Sequence, residues 1–183
     1  MNILGLRFAV DTMIVDNMSA EMIELRQLWR DGWIELTRTD TMDTELLRRK
    51  DPAHRAELLN LSAEMAEMFG PMVLGQSRIG SCVVGSTRES DGFDRLWGAM
   101  HPGSNRAVGT KAGEHNIRDA MHAFTARRYG CNALITVDNK LLGRAEAVKA
   151  ALDGFAIMSP ETALAFVRRM KARHDYRTQN PGT

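Results

Sequence analysis

The chain has 183 residues, 44% apolar and 26% charged, which suits one soluble globular domain with a real core. Its 24 Lys+Arg stand against 23 Asp+Glu, a formal net charge of +1, so binding to nucleic acid would need a local patch rather than bulk attraction. No run nears the ~18 apolar residues of a transmembrane helix, and MNILGLRFAV has no basic stretch before an apolar core. The expectation is a cytoplasmic protein with no membrane partner. Cys82 and Cys131 form no CxxC pair and read as two reduced, half-buried thiols.

Residues 4–10 read as a first strand running into Asp11. Ser19 caps a helix over SAEMIELRQLWRDG, with Met22, Leu25 and Trp29 on one stripe and Gly32 as its stop. WIELTR (33–38) alternates as a strand, and a short helix capped by Asp40 or Thr41 carries MDTELLRRK. A longer helix follows over 53–69, with Leu58, Leu61, Met65 and Met68 at helical spacing. Short strands are expected in MVLG and RIGSCVV. From 85 to 113 glycines break the pattern, which predicts an irregular insertion with at most a short helix at FDRLWGAM. Asn116 then caps a helix ending at Gly130, ALITV (133–137) is a buried strand, and NKLLGRAEAVKAAL is a helix. FAIM is the last strand, and Ser159-Pro160-Glu161 opens the last helix. Residues 174–183 read as a disordered tail after a single domain over 1–173. Alternating strands and helices predict a three-layer α/β/α sandwich with a mainly parallel central sheet.

Asp11 and Asp138 each close an apolar strand run and precede a helix, which places them at the C-terminal sheet edge, where open α/β sheets bind ligands. Asp119 lies in HNIRDAMHAFTARRYG. Singly, each aspartate has a structural explanation: a turn or cap for Asp11 and Asp138, and a favourable helix-dipole position for Asp119. Their joint order is the signal. Carboxylates gathered in one crevice repel, and a hard divalent cation relieves that repulsion.

That order, with FAVDTMIV, IRDAMHAFTARRYGCNALITVDNKLL and IMSPETALAF, resembles the PIN-domain ribonucleases. The resemblance implies a PIN-like α/β/α fold and an acidic site for Mg2+ or Mn2+. It further implies hydrolysis of RNA and, for small members, a toxin role beside an antitoxin protein, with homodimers among the arrangements. It places Asp11, Asp119 and Asp138 at metal positions. A fourth acid is expected early in the helix after the second strand: Glu45 matches best, with Glu35, Asp40 and Asp43 as competitors. Thr136 is a candidate to hydrogen-bond substrate phosphate or water. His115 and His122 flank Asp119 and are set aside as ligands in favour of four oxygen donors.

The insertion carries Arg88, Arg95, Arg106, Lys111, His101 and Trp97, a set that could grip phosphates and stack on a base. The plainer reading is a solvated loop whose charges are balanced by Glu89, Asp91 and Asp94. The alternative function is an inactive PIN-like module that binds RNA or protein. A phosphatase that phosphorylates its own aspartate would have a second Asp two residues after Asp11, where Met13 stands, and no GxxxxGK[ST] phosphate loop occurs.

Overall fold

Among the described residues, five parallel strands form one sheet: β1 (Arg7–Val10), β2 (Glu35–Thr39), β3 (Ala66–Met68), β4 (Ala133–Ile135) and β5 (Ala156–Met158), in the order β3-β2-β1-β4-β5. The computed structural model describes residues 2–73, 77, 82–104 and 110–180. β1 is central, with Phe8 opposite Leu36 on β2 and opposite Ala133 on β4. Parallel strands need crossovers, and helices supply them. On one face lie α1 (Ala20–Arg30), α2 (Asp40–Leu47), α3 (Pro52–Ala63) and α8 (Pro160–Gln179). On the other lie α4 (Thr87–Met100), α5 (Lys111–Arg128), α6 (Asn139–Leu142) and α7 (Ala145–Ala151).

Alternation along the strands divides the core between these layers. Phe8, Val10, Leu36, Ala133 and Ile135 pack toward Met22, Leu25, Met42, Leu46, Leu58 and Leu164. Ala9, Leu134 and Ile157 pack toward Phe93, Leu96, Ile117, Met121 and Val148. The result is the three-layer α/β/α sandwich that the alternation of elements predicts. Strand order turns at β1: β2 and β3 extend one way, β4 and β5 the other. The C-terminal ends of β1 and β4 therefore flank the switch-point crevice.

Several elements differ from expectation. The helix predicted over 53–69 ends at Ala63, and the chain returns as edge strand β3, pairing Thr37 with Ala66 and Thr39 with Met68. Met68 is buried in the α4/α5 layer, so sheet pairing and burial win over its helical spacing. The stretch predicted as irregular holds α4. Ser86 Oγ accepts from Glu89 N, and Glu89 returns a carboxylate to Ser86 N at 2.8 Å, a capping box. Phe93, Leu96, Trp97 and Met100 form its buried stripe. Gly92 belongs to the same contact: a Cβ there would meet the Phe124 ring of α5 at 3.3 Å.

Thr110, not Asn116, caps α5, so Asp119 is mid-helix and the helix dipole does not account for it. The helix predicted over 139–152 divides into α6 and α7 around Gly143 and Arg144. α8 continues to Gln179, through most of the expected tail. Of the strands expected at MVLG and RIGSCVV, residues 74–75 and 78–81 lie outside the described residues, as does Arg106; Pro71 and Val83 form an isolated parallel bridge.

Candidate metal centre

β1 and β4 hold the centre together beyond their last paired residues. Asp11 N donates to Ile135 O at 2.9 Å, which keeps the chain after β1 against β4. Thr136, fully buried, donates its hydroxyl to Asp11 Oδ2 at 2.6 Å and accepts Asp138 N at 3.0 Å. One small side chain thus joins two acids. Its hydroxyl has protein partners on both sides, which gives Thr136 a structural task between the acids. Asp138 uses Oδ1 to cap α6, accepting from Lys140 N at 2.6 Å and Leu141 N at 3.4 Å, while Oδ2 lies 3.9 Å from His115 Nε2. Capping and site membership fall to different oxygens of one carboxylate.

Glu45 sits on α2, which leaves β2 without a loop and so carries its side chains out over the same sheet edge. Thr12 Oγ1 donates to Glu45 Oε2, and His122 Nε2 is 3.3 Å from that oxygen. Arg118 Nε donates to Oε1 at 2.9 Å. The competing acids have other partners. Glu35 pairs with Arg7 at 2.9 Å near the start of β2, Asp40 accepts Gly70 N at 2.9 Å, and Asp43 pairs with Arg38. Gly70 is required beside Asp40, because a Cβ would lie 2.9 Å from both Asp40 Oδ1 and Thr125 Oγ1.

The long helix α5 supplies the opposite wall. His115, Asp119 and His122 stand at i, i+4 and i+7, one face of a helix. They face a common site, so the histidines set aside in favour of oxygen donors lie beside the acids. His115 Nε2 is 3.6 Å from Asp119 Oδ2. His122 is completely buried, its Nδ1 held 2.5 Å from Thr39 Oγ1. Ligand atoms of Asp11, Glu45 and His122 all lie within 4.8 Å of one another, a buried group that could hold a metal ion. The neglected histidine belongs to the most compact ligand set, and its helical phase with Asp119 was the signal that could have found it.

Asp11, Glu45, Asp119 and Asp138 line one cleft of about 550 Å³. Arg48, Arg49 and Lys111 are exposed at its rim. Burial, then the charge of Asp11, pushes the Asp119 carboxyl up to about 8; Glu45 and Asp138 add to the shift and His122 opposes it. Burial also works against the charge on Glu45, yet the bond and charge of His122, with Thr12 and Arg118, hold it down at about 2. His122 is the counterpart. Burial disfavours its cation, but the bond and charge of Glu45, then Asp11 and Asp119, raise its pKa above the ordinary 6.5. The cleft is therefore a negative site already borrowing positive charge from Arg118 and His122.

The Cys131 thiol lies in the core, pushed up to about 11 by burial, and supplies no nucleophile. Trp97 is buried and donates its indole N–H to Ser104 O at 3.1 Å, so it is not a stacking platform. Among the described residues no helix is long and apolar enough to cross a membrane. Compared with models of known protein families and with curated proteins, the sequence finds no match.

Proposed function

We propose that the protein is a metal-dependent ribonuclease of the PIN-like type, hydrolysing RNA phosphodiester bonds with Mg2+ or Mn2+ held by Asp11, Glu45, Asp119 and Asp138. One observation carries this reading: four acids distant in sequence meet in a single cleft at the switch point, beneath a rim of Arg48, Arg49 and Lys111. The donor set fits a hard divalent cation, since hard cations take oxygen ligands, and burial followed by the charge of Asp11 pushes the Asp119 carboxyl up to about 8. When bound, the cation offsets the carboxylate charge, lowers the pKa of water and stabilises charge on phosphate oxygens.

The chain's own residues position and neutralise. Thr136 fixes Asp11, and Arg118 with His122 fixes Glu45. The exposed rim cations draw phosphates to a cleft that would otherwise repel them. With no serine or cysteine lining the cleft among the described residues, the attacking group is water. A toxin role beside an antitoxin protein is the cellular setting this reading suggests; a short upstream gene overlapping this one would support it.

The test is cleavage of varied RNAs with magnesium or manganese, against an EDTA control and the Asp11→Asn and Asp138→Asn variants. Activity should require the ion and collapse in both variants. Cleavage that persists in EDTA and in both would refute the assignment. A second reading, an inactive RNA-binding module, has one observation in its favour: both Glu45 oxygens are already engaged by Arg118, Thr12 and His122. Absence of both cleavage and metal-dependent stabilisation in the wild type would make it the better account.

A further inference from the structure

A second groove opens directly beside the acidic cleft and shares Asp119 with it. Its volume is about 480 Å³, within the range of small-ligand pockets. Its character is different. Met100 and Leu141 are buried apolar lining residues, Asn116 and Asn139 present carboxamides, and Lys140 and Arg144 are exposed cations at its edge. Each asparagine is tied to a site acid: Asn139 follows Asp138, and Asn116 precedes Asp119 by one helical turn on α5. Neither side-chain amide has a hydrogen-bond partner among the described residues.

We propose that this groove takes the nucleobase next to the scissile phosphate and sets the sequence preference of the protein, an inference that rests on the ribonuclease reading. An RNA strand with a phosphate at the acids must place a neighbouring nucleotide beside them. On the Asp119 side, the space it meets has apolar side chains against which a base can lie and two amides that each offer a donor and an acceptor. Sequence-specific RNA recognition works in this way, on single-stranded bases splayed from the stack and hydrogen-bonded at their edges. Asparagine reads base edges bidentately, and Lys140 and Arg144 are placed to meet the flanking phosphate as positioning contacts. The end of α4 supplies Met100, His101 and Pro102 to this groove, which gives the stretch between β3 and α5 a task.

The test uses the full chain and separates this groove from the chemistry. Binding of labelled rA, rC, rG and rU pentamers is measured by fluorescence anisotropy in EDTA and in calcium, for wild type, Asn116→Ala and Asn139→Ala. One pentamer should bind about 5-fold or more tightly than the weakest, the scale of a good amide–base pair, and the variants should bring the four close together. Thermal melts of the variants check folding, and the exposed Asn139 and Arg144 allow Asn139→Ala and Arg144→Ala to be read even if Asn116→Ala is destabilised. Arg144→Ala should weaken all four pentamers alike and reduce the salt dependence. Equal affinities in the wild type, or a preference unchanged in both asparagine variants, would overturn the proposal. Base discrimination without metal-dependent cleavage would remove the ribonuclease reading and leave the groove. Cleavage whose site preference is the same in wild type and variants would do the reverse.

Discussion

Thr136 donates to Asp11 at 2.6 Å while accepting the backbone N–H of Asp138 at 3.0 Å, so one buried hydroxyl sets the spacing between the acid ending β1 and the acid following β4. Thr136→Val keeps the shape and strand preference but leaves a carboxylate oxygen and an amide short of a partner. The expected cost is about 1–3 kcal/mol of stability, the penalty for an unsatisfied buried group. Manganese affinity should fall by about 10–100-fold, as when a ligand loses its supporting bond. Calorimetry on a folded variant with unchanged affinity would show that the threonine only packs.

Asp119 yields a pH signature. Its folded-state pKa is about 8, above the ordinary 3.8, so the folded form prefers the neutral acid. Stability from this group is complete below the unfolded value and is lost as pH rises through the folded one. The metal-free wild type should therefore weaken relative to Asp119→Asn between about pH 4 and 8, by an amount on the order of a few kcal/mol. Saturating magnesium or manganese should narrow the gap above pH 8 by stabilising the wild type. Parallel melting curves across the range without any widening would show that Asp119 is not held among the other acids.

Glu45 has the opposite sign. Its pKa is lowered to about 2, so its contribution is present above 4.5 and is lost as pH falls through 2. Glu45→Gln takes the nearest anion from Arg118 and His122, leaving Arg118 its longer pair with Glu114 at 3.8 Å and His122 the charges of Asp11 and Asp119, so the cost should fall below the ~3–5 kcal/mol of a buried pair that loses its only partner. The same substitution should drop the His122 pKa, because the largest support for its cation is gone. Histidine resonances followed by NMR decide the matter. A His122 titration unmoved by the substitution would break the link.

Asp138 serves two tasks that substitutions can separate. Asparagine can still accept from Lys140 N, so Asp138→Asn should hold the α6 cap and lose metal affinity. Asp138→Ala should lose both, with an added cost of about 1 kcal/mol for the cap. Equal melting temperatures for the two variants would mean that the cap contributes nothing measurable.

The parts of the fold legible in the sequence were those where local pattern and tertiary demand agree. Ala133–Ile135 is an apolar run because both its faces are covered, and Ser159-Pro160 starts α8 as its chemistry requires. β3 was hidden: Ala66-Glu67-Met68 has no strand signature and pairs only because β2 presents a free edge. α4 was obscured by Gly92 and Gly98, although Ser86-x-x-Glu89 and the Phe93, Leu96, Trp97, Met100 spacing were present. At the site, Asp11 and Asp138 could be placed from strand ends, whereas Asp119 and Glu45 were expected from the PIN-like resemblance, and Asp119 lies mid-helix instead of in a first turn. His122 is not singled out by a preference for oxygen donors, although its position three residues after Asp119 puts the two on one helix face. The roles of Arg118 and Thr136 depend on contacts across 73 and 125 positions, which no local pattern encodes.

The seam between β1 and β4 divides the acids by origin. Asp11 and Glu45 come from the first quarter of the chain, Asp119 and Asp138 from its second half, and no continuous fragment short of their full span contains the set. Affinity for a divalent ion at this cleft would consequently belong to the closed sheet and not to any peptide within it. Ion uptake during refolding would mark the moment when the two ends of the chain have found each other, a built-in clock for the slowest, most non-local step of assembly.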